Sequence, residues 1–503
     1  MTLTSRAYHQ LTSYQRNQMP QYSLDWRNQP STFKTYPNID MIPLPREVHH
    51  DNEKLSNILK GSCKQDDPAI LEIADLSRML SLAYAITGRA AYGDGYHYYR
   101  SVASAGALYP VEIYVATHDV EGLQDGLYHF AIPGYGLVPL RPEDISGSVA
   151  DYLHKAPEKH PLLIFFFTTI FFRSAWKYRK RAYRYHLLDT GHLVENMGVA
   201  LKAQGLDFCL SYDFDDQGVN RMLGLDGTRE VSLAVCQVLG PDKLKRGDEK
   251  KEILQLMDSI KSASRVANKE VEYPVIVDIH MTGSIKVPAA GGAVPKLDPV
   301  YAYRGGIMQI KDSAPWPEKI NYKDTFLLRR SRRNFIPTVL SRKYMMALLE
   351  SLTMTNRIIS SENEYQNSVR TGFIIGKVEG LDPGFYLIDE LQPSFKMVDS
   401  GSFTESMASI CLEQQWLMNA GVHFLFITDL KKLEQYYGPR SYRYAMLHSG
   451  RLGERLYLAA TAMGLGCCGI GAFYDGEAAR LLKLKEGSKL LYLVAVGLVK
   501  QKG

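Results

Sequence analysis

The chain has little of what marks several broad protein classes. Its 503 residues hold six cysteines (Cys63, Cys209, Cys236, Cys411, Cys467 and Cys468), and no two have CxxC spacing. That argues against both a disulfide framework and a structural zinc site, and no metal is expected. The adjacent Cys467 and Cys468 read as buried small hydrophobes rather than a redox pair. The longest apolar run, Pro161 to Phe172 (PLLIFFFTTIFF), falls well short of the roughly 20 residues that cross a bilayer. Its β-favouring residues read as a buried strand, and no membrane association is expected. The polar start, MTLTSRAYHQLTSYQRNQ, lacks the apolar stretch of a secretory signal, so a cytoplasmic location is expected. Neither charge dominates: 59 basic against 54 acidic residues leave +5 over the chain, which gives no reason to expect nucleic acid.

What is present is an ordinary globular composition, 45% hydrophobic and 22% charged, on a chain long enough for two or three domains. The chain also repeats itself. RAYRYHLLDTGHLVENMGVALKAQGLDFC (181–209) matches RSYRYAMLHSGRLGERLYLAATAMGLGCC (440–468) at a constant offset of 259. Arg181/Arg440, Tyr183/Tyr442, Arg184/Arg443, Tyr185/Tyr444, Gly191/Gly450, Glu195/Glu454, Gly205/Gly464, Leu206/Leu465 and Cys209/Cys468 are identical pairs. The same offset lays HPLLIFFFTT on NAGVHFLFIT, and VEGLQDGLY (Val120 to Tyr128) matches VEGLDPGFY (Val378 to Tyr386) one residue out of phase.

Each copy reads as an opening helix, a loop, a hairpin-like stretch, a buried strand, a long helix ending at Gly205 or Gly464, a short helix and a closing strand. Helices around one sheet indicate an α+β fold. Residues 1–60 form an N-terminal extension, 61–240 the first domain and 325–503 the second. Between them, 241–324 opens as a charged, helical stretch and continues as a Gly- and Pro-containing linker, GSIKVPAAGGAVPKLDP. Fusing two copies of one subunit gives an intrachain pseudo-dimer, in which an interface site occurs twice and need not survive twice.

Three motifs carry a family resemblance: Ser104-Ala-Gly-Ala-Leu-Tyr-Pro110 after Arg100, Lys177-Tyr178 followed by RAYRYHLLDTGH, and LLRRSRRNF around Ser331. They resemble nitroreductase-like FMN-dependent enzymes and, among these, the SagB-type peptide-azoline dehydrogenases that form thiazoles and oxazoles. The resemblance covers roughly residues 75–240 and 325–500, and the opening YHQLT to LP stretch is similar to the leader region of longer members.

The resemblance implies FMN at the interface between the two copies. The second copy would supply Arg329, Arg330, Ser331 and Arg333, together with Gly469, Ile470, Gly471 and Ala472. The first would supply Ser104, Ala105, Gly106, Ala107 and Leu108, with Ala103 standing where the family usually has Pro. The physical reasons are plain. Arginine forks and a serine hydroxyl suit a phosphate, glycines let backbone N–H groups approach a ring edge, and small residues let a flat ring lie close. Lys500 is a further candidate for the phosphate. The reciprocal site looks ruined, because LSYDFDD (Leu210 to Asp216) replaces the glycines, IADLSRML lacks paired arginines, and ENEYQNSVRTG replaces the small-residue loop.

Lys177 and Tyr178 are the candidate catalytic pair by the same resemblance. A lysine acts as a base near neutrality only if burial or positive neighbours lower its pKa. Arg173, Arg179, Lys180, Arg181 and Arg184 crowd it in sequence, and the aligned positions in the second copy are Tyr436 and Tyr437. The arginine cluster otherwise reads as a solvated face, and His192 as a core or helix-surface histidine.

The implied activity is oxidation of a peptide-borne azoline to an azole, with O2 as electron acceptor and a possible complex with other biosynthetic enzymes. Two alternatives stand beside it: an NAD(P)H-dependent nitro- or quinone reductase, and a catalytically inactive scaffold of a peptide-modifying complex.

Overall fold

The computed structural model describes residues 3–19, 21–61, 70–92, 95–155, 157–243, 256, 258–285, 295–310, 314–354, 366–389 and 392–500. Two antiparallel seven-stranded sheets form, one per copy, with the same strand order. In the first sheet the order is Ile42–Pro43, Gly136–Arg141, Gly126–Ala131, Val111–Thr117, Lys159–Ile170, Glu230–Lys243 and Phe208–Ser211. The second runs Met308–Gln309, Ser394–Ser400, Gly384–Asp389, Arg370–Ile375, Val422–Asp429, Ser488–Gly497 and Gly466–Ile470.

The apolar run singled out in the sequence is the central strand Lys159–Ile170, buried from Pro161 onward and paired on both edges. Its unbroken hydrophobicity follows from cover on both faces. The first copy's edge strand comes from the N-terminal extension and the second's from the connecting stretch, so both segments are part of the sheets they adjoin.

Between the sheets lie two 22-residue helices, Ala182–Ala203 and Ser441–Ala462, buried on nearly every side. Their charged residues tolerate such burial because they are paired: Arg184 with Asp475, Arg443 with Asp216, Arg451 with Glu195 and His192 with Glu454. The two meet at Gly191 and Gly450. A Cβ on Gly191 would fall 3.0 Å from the Gly450 Cα and nearer still to the Leu447 carbonyl, while one on Gly450 would fall 3.1 Å from the Gly191 Cα. The repeat conserves this pair because the helix backbones touch there.

Two buried ion clusters tie the copies together reciprocally. Arg181 and Arg184 of the first copy donate to Asp475 of the second at 2.9 and 2.6 Å. Arg440 and Arg443 of the second donate to Asp216 of the first, the latter at 2.6 Å. A histidine completes each cluster: His9 lies 3.4 Å from Asp475 and His280 lies 3.9 Å from Asp216. His9 belongs to helix Ser5–Leu11, N-capped by the Thr4 hydroxyl, and His280 to helix Pro274–Ser284, which opens on a proline. Thus the connecting stretch contains a packed helix that buries Ile276, Ile279 and His280. The charged run at 244–255 and part of the Gly-rich run, 286–294, lie outside the described residues. No described helix is long and apolar enough to cross a membrane.

Candidate functional site

The small-residue loop and the Lys-Tyr pair are brought together. Gly106 has φ of 64°, and a Cβ there would lie 2.8 Å from the Tyr178 hydroxyl and 3.2 Å from Lys177 Nζ. Only glycine leaves both polar groups access to the loop. Asp189, on the first long helix, fixes the loop from behind: it accepts from Ser104 Oγ at 2.6 Å and from Ala105 N–H at 3.1 Å. Burial raises the Asp189 carboxyl to about 6, against the lowering pull of the Ser104 and Ala105 hydrogen bonds. The sequence reading missed Asp189. Its signal was an acidic residue two positions before the helix-crossing Gly191.

Lys177 and Tyr178 close helix Phe171–Tyr178 and are half-buried. Burial lowers the Lys177 pKa, and the Arg333 charge from the second copy lowers it further. This corrects the expected cause. Arg181 and Arg184 are committed to Asp475, and Arg173 donates to Glu112 at 2.5 Å, so they do not crowd the lysine as free charges. Burial alone would raise Glu112, but Arg173 and His129 hold it at about 2. The solvated face expected for this cluster is therefore a buried, paired one at Arg173, Arg181 and Arg184, while Arg179 and Lys180 are exposed. Burial keeps Tyr178 well above the usual phenol range, a neutral hydroxyl donor.

A chain of contacts carries the site into the second copy. The Tyr178 ring lies 4.3 Å from that of Tyr185, whose hydroxyl donates to the Gly471 carbonyl at 3.2 Å. A Cβ on Gly471 would strike the Tyr185 ring at 2.6 Å. Ser331 bridges to Cys467 in parallel fashion, and its Oγ lies 2.9 Å from the Tyr457 hydroxyl. Ser331 and Arg333 are exposed, and the Lys500 backbone is tied to Asn334 beside them at 3.0 and 3.2 Å. Ile470 is buried and Ala472 half-buried.

Three candidates are used differently from expectation. The Gly469 N–H donates to Tyr457 at 2.7 Å, and the space beside Gly469 is filled by the Tyr492 hydroxyl, so this glycine accommodates protein groups. Arg330 donates to the carbonyls of Leu327, Arg329 and Thr87. Arg329 donates to the carbonyls of Ser101 at 2.6 Å and Arg100 at 2.9 Å, which leaves its buried Nη1 without a hydrogen-bond partner among the described residues. An orphaned buried guanidinium nitrogen calls for an anion.

His192 is a core histidine: its Nδ1 is 2.5 Å from Glu454 and its Nε2 is 3.0 Å from the Tyr492 hydroxyl. In the mirror position Arg451 pairs with Glu195 at 2.8 Å. The five described cysteines are buried, and no disulfide forms among the described residues.

The reciprocal region is closed. Strand pairing places Phe208 opposite Val238 and Cys467 opposite Val496, which makes Tyr212 the counterpart of Gly471. Their carbonyls accept equivalent bonds of 2.9 Å from Arg440 and Arg181. Tyr212 is 1% exposed and its hydroxyl accepts from Arg451 at 3.4 Å, whereas the second copy has at this position a glycine against which the Tyr185 ring packs. The opening segments need a corrected alignment. Leu71 pairs with Val120 as Leu340 does with Val378, so helix Ile73–Tyr84, which carries IADLSRML, matches Arg342–Thr353. The counterparts of Arg329–Arg333 are then residues 60–64, Lys-Gly-Ser-Cys-Lys. Lys60 is 3.3 Å from Glu350. Residues 62–69, and 362–365 of the ENEYQNSVRTG segment, lie outside the described residues.

The nitroreductase family profile matches residues 62–240 and again 328–498, most of the chain. The chain belongs to the nitroreductase family. Both matches fall on the duplicated sheets, so this nitroreductase-family chain is a tandem pair of family domains.

A protein of Methanocaldococcus jannaschii with a nitroreductase designation is 27% identical over 37% of this chain and 96% of its own length. The trifolitoxin-processing protein TfxB of Rhizobium leguminosarum bv. trifolii is 28% identical over 40% of this chain and 56% of its own. The microcin B17-processing protein McbC of Escherichia coli is 28% identical over 28% of this chain and 54% of its own. The match thus spans about half the length of these two processing proteins. A crystal structure from Anabaena variabilis, also with a nitroreductase designation, covers 99% of this chain and 100% of its own with a TM-score of 0.78 at 24% identity. That likeness establishes the double-domain fold.

Proposed function

We propose that the chain is an FMN-dependent dehydrogenase with one composite cofactor site, oxidising peptide-borne thiazolines or oxazolines to azoles. The observation that carries the reading is the meeting of Lys177, Tyr178 and Gly106 of the first copy with Arg333 and the Gly471 segment of the second. The likeness to the trifolitoxin-processing and microcin B17-processing proteins supports the substrate class.

The residues fit a group that is anionic at one end and flat at the other. Arg329 through its orphaned Nη1, Ser331, Arg333 and Lys500 would hold the phosphate. The Ser104–Leu108 loop and the Gly471–Ala472 segment would flank the ring. Arg330 would contribute chiefly by anchoring the segment, and Gly469 and Ile470 by shaping its strand. When bound, FMN supplies the two-electron acceptor that O2 returns to its oxidised state.

Aromatising an azoline removes one proton and one hydride from adjacent ring carbons. Lys177 Nζ, neutral at lower pH than an exposed lysine because of burial and Arg333, takes the proton. The Tyr178 hydroxyl orients the heterocycle as a hydrogen-bond donor. Asp189 keeps the loop in register by holding Ser104 and Ala105.

The test is turnover of an azoline-containing peptide by wild type and by Lys177→Ala at equal flavin content. Loss of turnover in the variant is expected, and full turnover would overturn the base assignment. Rapid bleaching by NADPH with turnover of nitroaromatics would replace this reading with a reductase, and a colourless protein that cannot take up FMN would replace it with a scaffold.

A further inference from the structure

At the other end of the first copy's central strands, three potential metal ligands converge. His118 follows strand Val111–Thr117, Asp144 precedes helix Ser146–Tyr152, and His160 lies near the start of strand Lys159–Ile170. One ligand atom from each lies within 4.8 Å of the others. The His118 Nδ1 is 2.9 Å from Asp144 Oδ2, and the two imidazole centroids are 4.3 Å apart. A fourth potential ligand, the carboxylate oxygen Asp125 Oδ2, is 3.6 Å from the same His118 nitrogen.

Asp144, Asp125 and His160 are also held from outside. Asp144 Oδ1 accepts from Ser146 N–H at 2.8 Å, which leaves Oδ2 turned to the histidines. Asp125 Oδ1 accepts from Asp119 N–H at 2.9 Å. His160 Nδ1 lies 3.1 Å from the Pro161 carbonyl, which favours the tautomer protonated there, and its Nε2 lies 3.3 Å from the Ser146 hydroxyl, which a bound cation would displace. Such outer contacts orient ligands and reduce the reorganisation that binding requires. In a tetrahedral zinc site with bonds of about 2.0–2.1 Å, neighbouring ligand atoms sit roughly 3.3 Å apart, close to the separations from His118 to both carboxylates.

We propose that His118, His160 and Asp144, with Asp125 as fourth ligand, form a structural site for a divalent transition metal of the Zn2+ type. Two imidazoles and two carboxylates form a borderline set that favours such a cation over Mg2+ or Ca2+, which take all-oxygen shells. The site clips three segments together far from the Lys177 end of the same sheet. The duplication did not supply it: the counterparts of His118 and His160 are Gly376 and Asn419. It stands whether or not the proposed oxidation is correct.

The test is calorimetric titration of Zn2+ into the full chain after chelator treatment and desalting, with Co2+ as a spectroscopic probe. One equivalent bound, tetrahedral visible Co2+ bands, and a higher unfolding midpoint with Zn2+ are expected. His118→Ala and the near-isosteric Asp144→Asn should weaken binding by at least about tenfold, while His49→Ala, at an exposed histidine elsewhere, should not. Circular dichroism of each variant separates ligand loss from misfolding. Absence of saturable one-equivalent binding in the wild type, or binding that persists in the His118→Ala/His160→Ala double variant, would overturn the proposal.

Discussion

Tyr212 and Gly471 occupy one position in the two copies, a buried phenol in the first and, in the second, a glycine that lets the Tyr185 ring lie against the backbone. Around Gly471 stand Tyr185 and, through it, Tyr178, so the glycine copy of this position is the one that adjoins the Lys-Tyr pair. Gly471→Ala would press a methyl group on the Tyr185 ring. It is expected to lower FMN affinity by at least about tenfold, or about 1.4 kcal/mol. Fluorescence titration of the apoprotein checks this, and unchanged affinity would show that the glycine does not serve the cofactor.

Arg179 carries a conformation that its counterpart reserves for glycine. Its φ and ψ are 48° and −135°, against 69° and −162° at Gly438. A non-glycine residue there costs about 1–3 kcal/mol. The compensating contact is the guanidinium, 3.5 Å above the Tyr22 ring, with the Tyr22 hydroxyl donating to the Lys177 carbonyl at 2.7 Å. Arg179→Gly should therefore raise the unfolding midpoint by roughly 1–3 °C while lowering turnover by about tenfold, because Lys177 loses its brace. Arg179→Ala keeps the strain without the stack and should lower both. Calorimetry and steady-state kinetics on the two variants separate these effects.

The pH dependence of turnover should report Lys177 and Arg333 together. The lysine must be neutral to accept a proton, so kcat/KM rises with pH through its pKa, which burial and Arg333 place below the usual lysine value. Removing the neighbouring charge with Arg333→Gln should move the rising limb to higher pH, and Arg333→Lys should move it back. A limb that ignores the Arg333 charge would contradict the assignment.

Acid should destabilise the fold before it reaches the depressed carboxylates. Burial holds His9, His186, His280 and His448 neutral, with pKa values of about 3. Below pH 6.5 the unfolded chain protonates these histidines while the folded chain does not. Stability is therefore full above that pH and falls by about 1.4 kcal/mol per unit for each of them. Glu112 and Glu195, at about 2, add their loss only in stronger acid. The unfolding midpoint should drop steeply between pH 6.5 and 5, and a flat profile there would contradict this account.

The duplication was legible because its most restrictive contacts lie within one segment. Gly191 and Gly450 must be glycine where the helices touch, and Glu195 and Glu454 must answer Arg451 and His192 across the axis. Contacts between distant segments were harder to see. Asp216 and Asp475 share the repeat offset, which was a usable signal, but nothing near them in sequence names Arg440 or Arg181 as partners. The roles of helices Ser5–Leu11 and Pro274–Ser284 were hidden for a similar reason, since they share a histidine and a place but no repeat. The loop, the Lys-Tyr pair and the RRSRR segment were found as motifs. Which arginine nitrogen stays unpaired and which glycine N–H is already occupied depend on side-chain packing from other segments.

The most direct test of the composite site is the flavin content of purified protein, measured per chain after reconstitution with excess FMN and desalting. With glycine at Gly471 and a buried tyrosine at the matching Tyr212, the proposed single composite site predicts a ratio of one. A ratio near two would contradict the account, as would a ratio near zero in folded protein.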